Sequence, residues 1–426
     1  TSPELVTSVE AAASRYGAGS CITDMIRAAT RLRPIAEWWA LPLAEPSSGT
    51  AGTWSVPMTG TATASGVVRL WIGRHRIEVS VASGDTAATV LGALGEAIAA
   101  KHPVTAGTVS GDALPLTAKH KGAYSVGLRV AWDEATSAPD GLSLGTITST
   151  AGTGTTELPS LPPVAFTQIG VCDVAMAGDL GALLDARWDY SESLWGHGYV
   201  CSRGDAATIV ATAQQVERQW RHLTWAVTEP ATRAANWEIA AGVCGLAMAW
   251  AEDRPAASPS GSTLVGLPGA YSPVWSASVR DLLLRYGHAP VTGSLGRDLV
   301  VDRLVTTRWS DGSGNRDERS YQAPQMWALA RFLRGIRADL AATFRGRRLV
   351  SDGPVMPPDA ASPSVLRDYL EGLIRRYAAL GLVEVNTELL REVRVERSEE
   401  DPARLDVCLP VDLVDGLEIL AVSVAY

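Results

Sequence analysis

Hydrophobic residues recur at helical spacing over several long stretches of the chain. Apolar side chains three or four positions apart share one face of a helix and predict that this face is buried. The predicted helices lie within residues 1–43, where a strand-like run at 36–43 follows, and at 86–100, 180–188, 206–220, 237–250, 326–340 and 362–377. In the last of these, Ser362 is placed to cap the helix, Pro363 occupies its first turn and Gly381 follows its end.

Period-two alternation predicts strands, most densely between residues 52 and 150. The runs 68–72 and 77–81 flank Gly73 and Arg74, a pattern typical of a β-hairpin. Further strands are predicted at 114–118, 126–132, 164–171, 198–201, 298–308, 391–397 and 405–409. Between residues 158 and 305, strand-like and helical runs alternate, which favours an α/β layer with crossover helices.

The last eleven residues, 416–426, predict a strand that is apolar on both faces. One face carries Leu417, Ile419, Ala421 and Ala425, and the other carries Leu420, Val422, Val424 and Tyr426. Such a strand is covered on both sides in folded proteins, and an open edge of this kind promotes aggregation. We therefore expect it to be paired, either within its own domain or with another copy of the chain by strand addition.

These patterns predict a multidomain protein of mixed α/β class. The 426 residues exceed what one hydrophobic core normally serves. We expect a middle α/β domain made of residues 1–46 and 153–297, with a β-rich outer domain inserted at 47–152. A C-terminal α/β domain follows at 298–415, and residues 416–426 form an extended strand arm.

Composition narrows the possible functions. Hydrophobic residues make up 46% of the chain and charged residues 19%, which indicates a folded protein. The net charge of -9 argues against a nucleic-acid partner. The sequence has no run of eighteen apolar residues and no signal peptide, so we expect neither membrane insertion nor classical secretion. Because the chain opens at Thr1 without a methionine, we expect that a segment precedes it.

The five cysteines are scattered and odd in number, which predicts buried thiols in a reducing compartment, with no disulfide framework or zinc site. His197 is a candidate general base, with Asp185 or Asp189 to orient it. No G-x-S-x-G motif supplies a nucleophile. A structural role for His197 is therefore favoured over a catalytic one.

Other clusters also favour structural roles. The turn with Asp311, Ser313, Asn315 and Asp317 offers calcium-type oxygens, but Arg316 and Gln322 stand where a calcium loop needs Gly and Glu. An exposed hairpin turn is the favoured interpretation. His120 lacks a second ligand nearby, Asp205 of the tripeptide 203–205 is placed to cap a helix, and the acidic run 399–401 is expected to be solvated. We predict no catalytic residue, no metal site and no cofactor.

An arginine-rich helix and turn occupy residues 331–348. Six arginines lie there, namely Arg331, Arg334, Arg337, Arg345, Arg347 and Arg348. Two interpretations stay open: a solvated face, or a surface that docks onto an acidic protein.

Ordered fragments of the chain resemble the tail sheath proteins of Mu-like contractile phages. In the C-terminal third these are DRLVTT (302–307), LVSDG (349–353), GLVE (381–384), VER (395–397), DPARLDV (401–407) and LPVDL (409–413). Earlier fragments in the same order are GAGS (17–20) with Met25, PVTA (103–106), LTA (116–118), WEIAA (237–241) and DLLL (281–284). Their succession spans nearly the whole chain.

This resemblance implies a structural subunit, not an enzyme. Sheath subunits of the family stack as hexameric rings around a tail tube and contract to drive the tube through the host envelope. The implied partners are further copies of the chain, the tail tube protein, and baseplate and tail terminator proteins. The implied location is the virion tail, assembled in the host cytoplasm, and residues 298–415 correspond to the family's sheath domain.

Family members join neighbours through terminal arms that complete a shared sheet. The resemblance makes 417–426 the donated arm, with Leu417, Ile419, Leu420, Val422, Val424 and Tyr426 as inter-subunit contacts. It makes the six arginines candidate tube-facing residues. The chain departs from the family at Asp415, where Asn is frequent, and the family's N-terminal arm would lie ahead of Thr1.

Two alternatives remain. The same features suit the sheath of a phage-derived contractile bacteriocin or injection device. A different class is an α/β hydrolase-like enzyme that uses His197 and closes its own sheet with the terminal strand. Removing residues 417–426 separates the two classes, because a sheath subunit would stay folded and an enzyme would not.

Overall fold

The chain folds into two units, and each unit contains both helices and strands. The computed structural model describes residues 2–189, 191–215, 219–311, 313–317 and 319–417. The N-terminal unit comprises Thr1–Ala249 and Pro259–Ala323, and the C-terminal unit comprises Trp250–Ser258 and Pro324–Tyr426. The predicted mixed α/β, multidomain class is confirmed. The boundaries proposed at 46/47, 152/153, 297/298 and 415/416 stay a prediction.

The N-terminal unit contains the following elements. Its strands are β1 (Glu4–Val6), β2 (Trp38–Ala40), β3 (Ala51–Gly60), β4 (Gly66–Ile72), β5 (His75–Val81), β6 (Val104–Ala106), β7 (Ala113–Lys121), β8 (Val130–Trp132), β9 (Leu142–Leu144), β10 (Thr148–Thr150), β11 (Gln168–Gly170), β12 (His197–Arg203), β13 (Leu223–Thr228), β14 (Thr263–Pro268), β15 (His288–Thr292) and β16 (Asp298–Val301). Its helices are α1 (Val9–Tyr16), α2 (Cys21–Leu32), α3 (Ala87–Ala97), α4 (Ala177–Trp188), α5 (Ala206–Gln215), α6 (Asn236–Asp253), whose last residues belong to the C-terminal unit, and α7 (Ala277–Arg285).

Strands β3 to β10, together with α3, form what we call the β-rich region. It holds a five-stranded sheet, in which β10, β3, β7 and β6 are neighbours and β9 also pairs with β3, and a three-stranded sheet ordered β5-β4-β8. The predicted hairpin is confirmed: Ile72 pairs with His75 across a turn in which Gly73 has a φ of 56°. Thr86 caps α3 by accepting the N–H of Thr89 at 3.3 Å.

A six-stranded sheet forms the α/β part of the N-terminal unit, in the order β11-β12-β13-β15-β16-β14. The first four strands are parallel, and β16 and β14 are antiparallel to their neighbours. Helix α4 connects β11 to β12 and packs Leu180 and Leu184 against Val200 and Leu223. The predicted α/β layer with crossover helices is therefore confirmed.

The C-terminal unit is built on two long helices and three small sheets. Its elements are α8 (Ala323–Phe344), β17 (Arg348–Leu349), β18 (Ala360–Ala361), α9 (Pro363–Ala379), β19 (Val383–Glu384), α10 (Thr387–Arg391), β20 (Arg394–Arg397), β21 (Leu405–Cys408) and β22 (Asp412–Leu413). Strands β20 and β21 form the predicted hairpin, with Arg394 opposite Cys408 and Arg397 opposite Leu405.

Helix α9 begins and ends where its sequence predicts. The Ser362 side chain accepts the N–H of Val365, and Gly381 follows the helix with a φ of 71°. Helix α8 packs against it, with the rings of Phe332 and Tyr377 edge to face at 5.3 Å. The helices approach closely because Gly335 has no side chain: a Cβ there would lie 2.3 Å from the Tyr377 hydroxyl.

Several strand predictions were too long: 36–43 is a strand only at Trp38–Ala40, and 391–397 only at Arg394–Arg397 because Arg391 ends helix α10. In 126–132 the strand covers only Val130–Trp132, because a 3₁₀ helix at Ala123–Gly127 precedes it and Gly127 turns against Asn236. In 164–171 only Gln168–Gly170 is a strand, since the N–H of Val164 closes a turn onto the Pro162 carbonyl. In 298–308 only Asp298–Val301 pairs in the sheet.

Leu370 on α9 tests how far the C-terminal unit depends on its core, because its side chain is fully buried between the helices. Leu370→Ala is expected to lower the free energy of unfolding of this unit by about 3 kcal/mol, since it removes apolar contacts and leaves a cavity. Leu380→Ala is the matched control, because Leu380 is 54% exposed just beyond the same helix. The measurement is the urea dependence of amide hydrogen exchange in α8 and α9, and equal losses in both variants would contradict the expectation.

Candidate functional site

The predicted arm leaves the C-terminal unit from a fixed point. Asp415 accepts a hydrogen bond from the side-chain amide of Gln325, at the start of α8. Gly416 lies against the 250–258 segment, where an added Cβ would be 2.9 Å from the Ala256 carbonyl oxygen. The next residue, Leu417, is 78% exposed. The chain is thus held up to Gly416 and presents an apolar side chain immediately afterwards.

Most of the predicted arm contacts lie beyond the part of the chain that the structure describes. Leu417 is within it, whereas Ile419, Leu420, Val422, Val424 and Tyr426 are outside the described residues. Their pairing stays a prediction. The sequence did not foresee that Asp415, the position where the chain departs from the family pattern, anchors the base of this segment.

The C-terminal unit also exposes strand edges. Strand β19 pairs antiparallel with β22, with Val383 opposite Leu413, and β20 pairs with β21. Among residues 319–417 each of these sheets consists of two strands. A two-stranded ladder has outward-facing N–H and C=O groups on both outer edges and is marginal by itself in water. The outer edges of these sheets therefore carry the backbone groups with which an added strand would pair.

The six candidate arginines do not act as one group. The Arg331 guanidinium donates to the backbone carbonyls of Ala251, at 3.2 Å, and Glu252, near the end of α6. Arg334 is half-buried, and burial together with the neighbouring Arg331 lowers its pKa, while Glu252 opposes the shift. Arg331 therefore ties helix α8 to the 250–258 segment within the C-terminal unit, and Arg334 lies near the same segment at Glu252.

The remaining four arginines are exposed. Arg345 and Arg347 follow the C-terminal end of α8, where positive side chains complement the helix dipole. The Arg347 guanidinium lies 5.1 Å from the centroid of the Phe344 ring, and Arg348 Nε is 3.6 Å from Asp359 Oδ2. Arg337 lies on the exposed face of α8. A basic surface thus exists at the end of α8, and its contact with a tube protein stays a prediction.

His197 does not have the geometry of a general base. Its ring is buried in the six-stranded sheet, and its Nε2 is 2.8 Å from the Thr224 hydroxyl. Burial lowers its pKa well below the ordinary value, and His222 adds to the effect. Asp185 instead approaches His222, at 3.7 Å, and Asp189 accepts from the backbone N–H and hydroxyl of Ser191. The favoured structural interpretation agrees with these contacts.

The turn at residues 311–317 uses its oxygens internally. Asp311 Oδ1 accepts the N–H groups of Ser313 and Asn315 at 2.8 and 2.9 Å, and Ser310 pairs with Arg316 across the turn. Asp317 forms ion pairs with Arg308 and Arg319. Within the described ranges, no group of three or more His, Cys, Asp or Glu side chains is arranged to hold a metal ion. This turn is the hairpin that the sequence favoured.

The other clusters have structural partners. Asp205 caps α5 by accepting the N–H of Thr208 at 2.9 Å, as predicted. Burial lowers the pKa of Arg203 to about 10, and its guanidinium donates to the Ala234 carbonyl. His120 Nδ1 lies 2.8 Å from a Glu45 carboxylate oxygen. In the acidic turn, Arg404 pairs with Glu400 and with Asp406.

The thiols follow the prediction only in part, because Cys201 and Cys244 are buried, Cys21 and Cys172 are half-buried and Cys408 is exposed. The structure describes all five cysteines as free, and burial raises the pKa of Cys201 and Cys244 to about 12. Cys408 is exposed on β21, so the expectation of uniformly buried thiols was wrong there. Strand β21 is exposed along most of its length, and among the described residues it pairs with β20 alone. Over the same residues, no helix combines the length and apolar character that crossing a membrane requires.

No protein-family model matches the chain. Its sequence is 29% identical, over 99% of this chain and 88% of the other, to the Mu-like prophage FluMu tail sheath protein of Haemophilus influenzae. Two solved structures resemble its fold. They are the sheath tail proteins of Desulfitobacterium hafniense (12% identity, 93% of this chain and 85% of that chain, TM-score 0.45) and of Listeria innocua (11% identity, 97% and 89%, TM-score 0.48).

The sequence similarity over the whole chain is the finding that bears on function. By it, the chain is similar to tail sheath proteins of phage-like contractile systems. Within that class it is similar to the Mu-like tail sheath proteins, and the predicted family resemblance is confirmed.

Sequence reasoning missed two further buried histidines in the six-stranded sheet. His222 and His288 are almost fully buried, and burial lowers the pKa of each from 6.5 to about 4. They escaped notice because neither stands in a motif. Their signal is positional: His222 immediately precedes β13, and His288 begins β15 opposite Trp225.

These histidines predict acid sensitivity of the N-terminal unit. Their folded-state pKa lies below the unfolded value, so the unfolded chain binds more protons between pH 6.5 and 4. Stability is therefore full above pH 6.5 and declines as the pH falls through this window, by up to about 3 kcal/mol for each histidine. His288→Gln is expected to flatten the pH dependence of the free energy of unfolding, measured by urea denaturation from pH 4 to 7. His120→Gln, which removes a surface ring, serves as the control, and identical slopes in the two variants would argue against this origin.

Proposed function

We propose that this chain is a structural subunit of a contractile phage tail sheath. It polymerises as stacked hexameric rings around a tail tube and contracts to drive the tube through the host envelope. The observation that carries the proposal is the 29% identity to a tail sheath protein over 99% of the chain. Further partners in the proposed virion tail are baseplate and tail terminator proteins, and assembly takes place in the host cytoplasm.

The proposed link between subunits is the arm at residues 417–426. The anchored base at Asp415 and Gly416 and the exposed Leu417 support an outward path for this segment. The two-stranded sheets of the C-terminal unit supply edges of the kind that a donated strand completes. Many backbone hydrogen bonds acting together, each worth about 0.5–1.5 kcal/mol, would keep such a link closed while subunits move.

The proposed contact with the tube uses exposed charge. Arg345, Arg347 and Arg348, with Arg337, form the basic surface at the end of α8. Exposed ion pairs contribute only about 0–1 kcal/mol each, so a subunit can exchange one set of them for another at little cost. This property suits a surface that must release the tube during contraction. Arg331 and Arg334, which are engaged inside the unit, are less suited to this role.

In the proposed subunit, the β-rich segment 47–152 is the outer domain. The proposal assigns the chain no enzymatic activity. The contacts of His197 with Thr224 and of Asp185 with His222 support this view over the hydrolase alternative. Contraction energy would be stored in the assembled lattice and would need no nucleotide.

Deleting residues 417–426 tests the arm. We expect the truncated chain to keep its secondary structure and cooperative unfolding but to form no ribbed cylinders in negative-stain electron microscopy, because the donated strand is gone. Val355→Asp is the control, since it adds charge at a residue of the same unit that is 88% exposed. Cylinders formed by the truncated chain would contradict the arm, and loss of its fold would favour the enzyme alternative.

Neutralising the basic surface tests the tube contact. The triple variant Arg345→Ala/Arg347→Ala/Arg348→Ala is expected to bind purified tube protein more weakly, with a smaller dependence of binding on salt, because it removes screened attractions. The control Arg76→Ala/Arg285→Ala/Arg375→Ala removes three exposed guanidinium groups elsewhere. Co-sedimentation at about 50 and about 500 mM salt, between which the Debye length falls roughly threefold, measures the difference. Equal binding by both triple variants would rule out this surface.

A further inference from the structure

A short buried segment runs from the loop after β13 into the first turn of α6 and places charged side chains in the interior of the N-terminal unit. We call residues 233–238 the junction segment. It lies where the β-rich region meets the six-stranded sheet, and Arg233 and Glu238 are only 5% and 3% exposed. Buried charges of this kind require partners, because an isolated one loses its hydration. Their partners identify what the segment does.

The first set of partners is a four-residue charge cluster. Arg74, in the turn of the β4–β5 hairpin, donates through Nε to Glu238 Oε1 at 2.5 Å and lies 3.4 Å from Asp24 Oδ1 through Nη2. Arg27 donates to the same Asp24 oxygen at 2.5 Å. The cluster therefore ties the β-rich region to both α2 and α6. Asp24 and Glu238 are each 3% exposed and Arg74 is 14% exposed.

The second set lies at the other end of the segment. Arg233 Nη2 donates to Asp133 Oδ1 at 3.2 Å, and its guanidinium lies 4.2 Å from the centroid of the Trp71 ring. The Trp71 indole N–H donates to the same carboxylate oxygen at 3.0 Å. Both Trp71 and Asp133 belong to the β4–β8 side of the β-rich region. A second charged contact therefore joins the same two parts of the unit.

An apolar contact lies along the junction segment, between its two charged ends in sequence. Trp237 is 1% exposed and meets the Tyr124 ring edge to face at 5.4 Å. Together with Ala235 it belongs to the hydrophobic core of the β-rich region. Apolar burial favours contact but is not directional, whereas charge-assisted hydrogen bonds fix distance and angle. The arginines therefore determine the orientation that the apolar contact alone leaves open.

We propose that Arg74 and Arg233 are positioning residues that lock the β-rich region onto the six-stranded sheet in one orientation. The lock makes the two parts of the N-terminal unit move as one body. Its use during sheath contraction rests on the proposed function. The lock itself is a property of the single chain and does not depend on assembly.

The charges of this cluster predict what happens when one partner is removed. Burial raises the pKa of Glu238 to about 7, the nearby Asp24 carboxylate adds to the shift, and Arg74 opposes it. Removing Arg74 leaves two buried carboxyl groups with less compensation, which is costly. Replacing Arg74 together with both buried carboxylates by neutral groups of similar size removes the uncompensated charge, and replacements of this kind are often neutral or stabilising. Arg27 is left in place because its side chain is 22% exposed and reaches water. A single and a combined variant should therefore behave in opposite ways.

Arg74→Met in the unassembled 426-residue chain tests the lock. We expect amide hydrogen exchange in the β4–β5 hairpin and in residues 233–238 to accelerate by roughly tenfold or more, with little change in the β20–β21 hairpin of the C-terminal unit. Arg76→Met is the matched control, because Arg76 lies on the same hairpin with a half-exposed side chain beside Glu78. If Arg74→Met does not fold, Arg74→Lys, which keeps the charge, is expected to give an intermediate acceleration at the same amides.

The rescue variant Asp24→Asn/Arg74→Met/Glu238→Gln separates a lock from general packing. We expect its exchange to return to within about threefold of the unmodified chain, because no buried carboxylate is left without a partner. The proposal is overturned if Arg74→Met matches Arg76→Met, if exchange accelerates equally in both units, or if the combined variant is no slower than Arg74→Met. Cylinder formation by the unmodified chain tests the proposed function separately, since it does not enter these comparisons.

Discussion

A buried charge must be paired, and that requirement organises the N-terminal unit. The junction segment at residues 233–238 brings Arg233 and Glu238 into an interior where water cannot solvate them. Each finds its partner in the β-rich region, at Asp133 and at Arg74. The β-rich region thus has its own sheets and helix, and charged contacts tie it to the rest of the N-terminal unit.

Local features of the fold could be predicted from the sequence alone. The hairpin at residues 66–81 and helix α9 with its Ser362 cap depend on neighbouring residues, and period and capping chemistry identify both. Contacts between distant residues could not be predicted in this way. Arg74 and Glu238 are 164 positions apart, and no spacing rule connects them. The strand expected at 126–132 was too long, because the residues before Val130 include a 3₁₀ helix whose last residue, Gly127, lies against the distant Asn236.

In the candidate site, too, the local features could be predicted from the sequence, whereas the contacts between distant residues could not. A nearly continuous apolar run predicted the strand at 416–426, and the density of arginines singled out residues 331–348. The sequence could not indicate that Arg331 is engaged with carbonyl groups 79 and 80 positions earlier, or that Asp415 fastens the base of the arm to Gln325. These contacts depend on how the 250–258 segment, α8 and residue 415 come together within the C-terminal unit. The basic surface of exposed arginines was recognised as a cluster, but its division into inward and outward members required coordinates.

The anchored base at Asp415 and Gly416 sets a length scale for the proposed lattice. The nine residues 418–426 can extend at most about 30 Å at 3.3 Å per residue. In the proposed lattice, the neighbour's strand that accepts this segment would lie within that distance of the anchor. The contacts of Asp415 and Gly416 would thereby bound how far two linked subunits move apart during the proposed contraction.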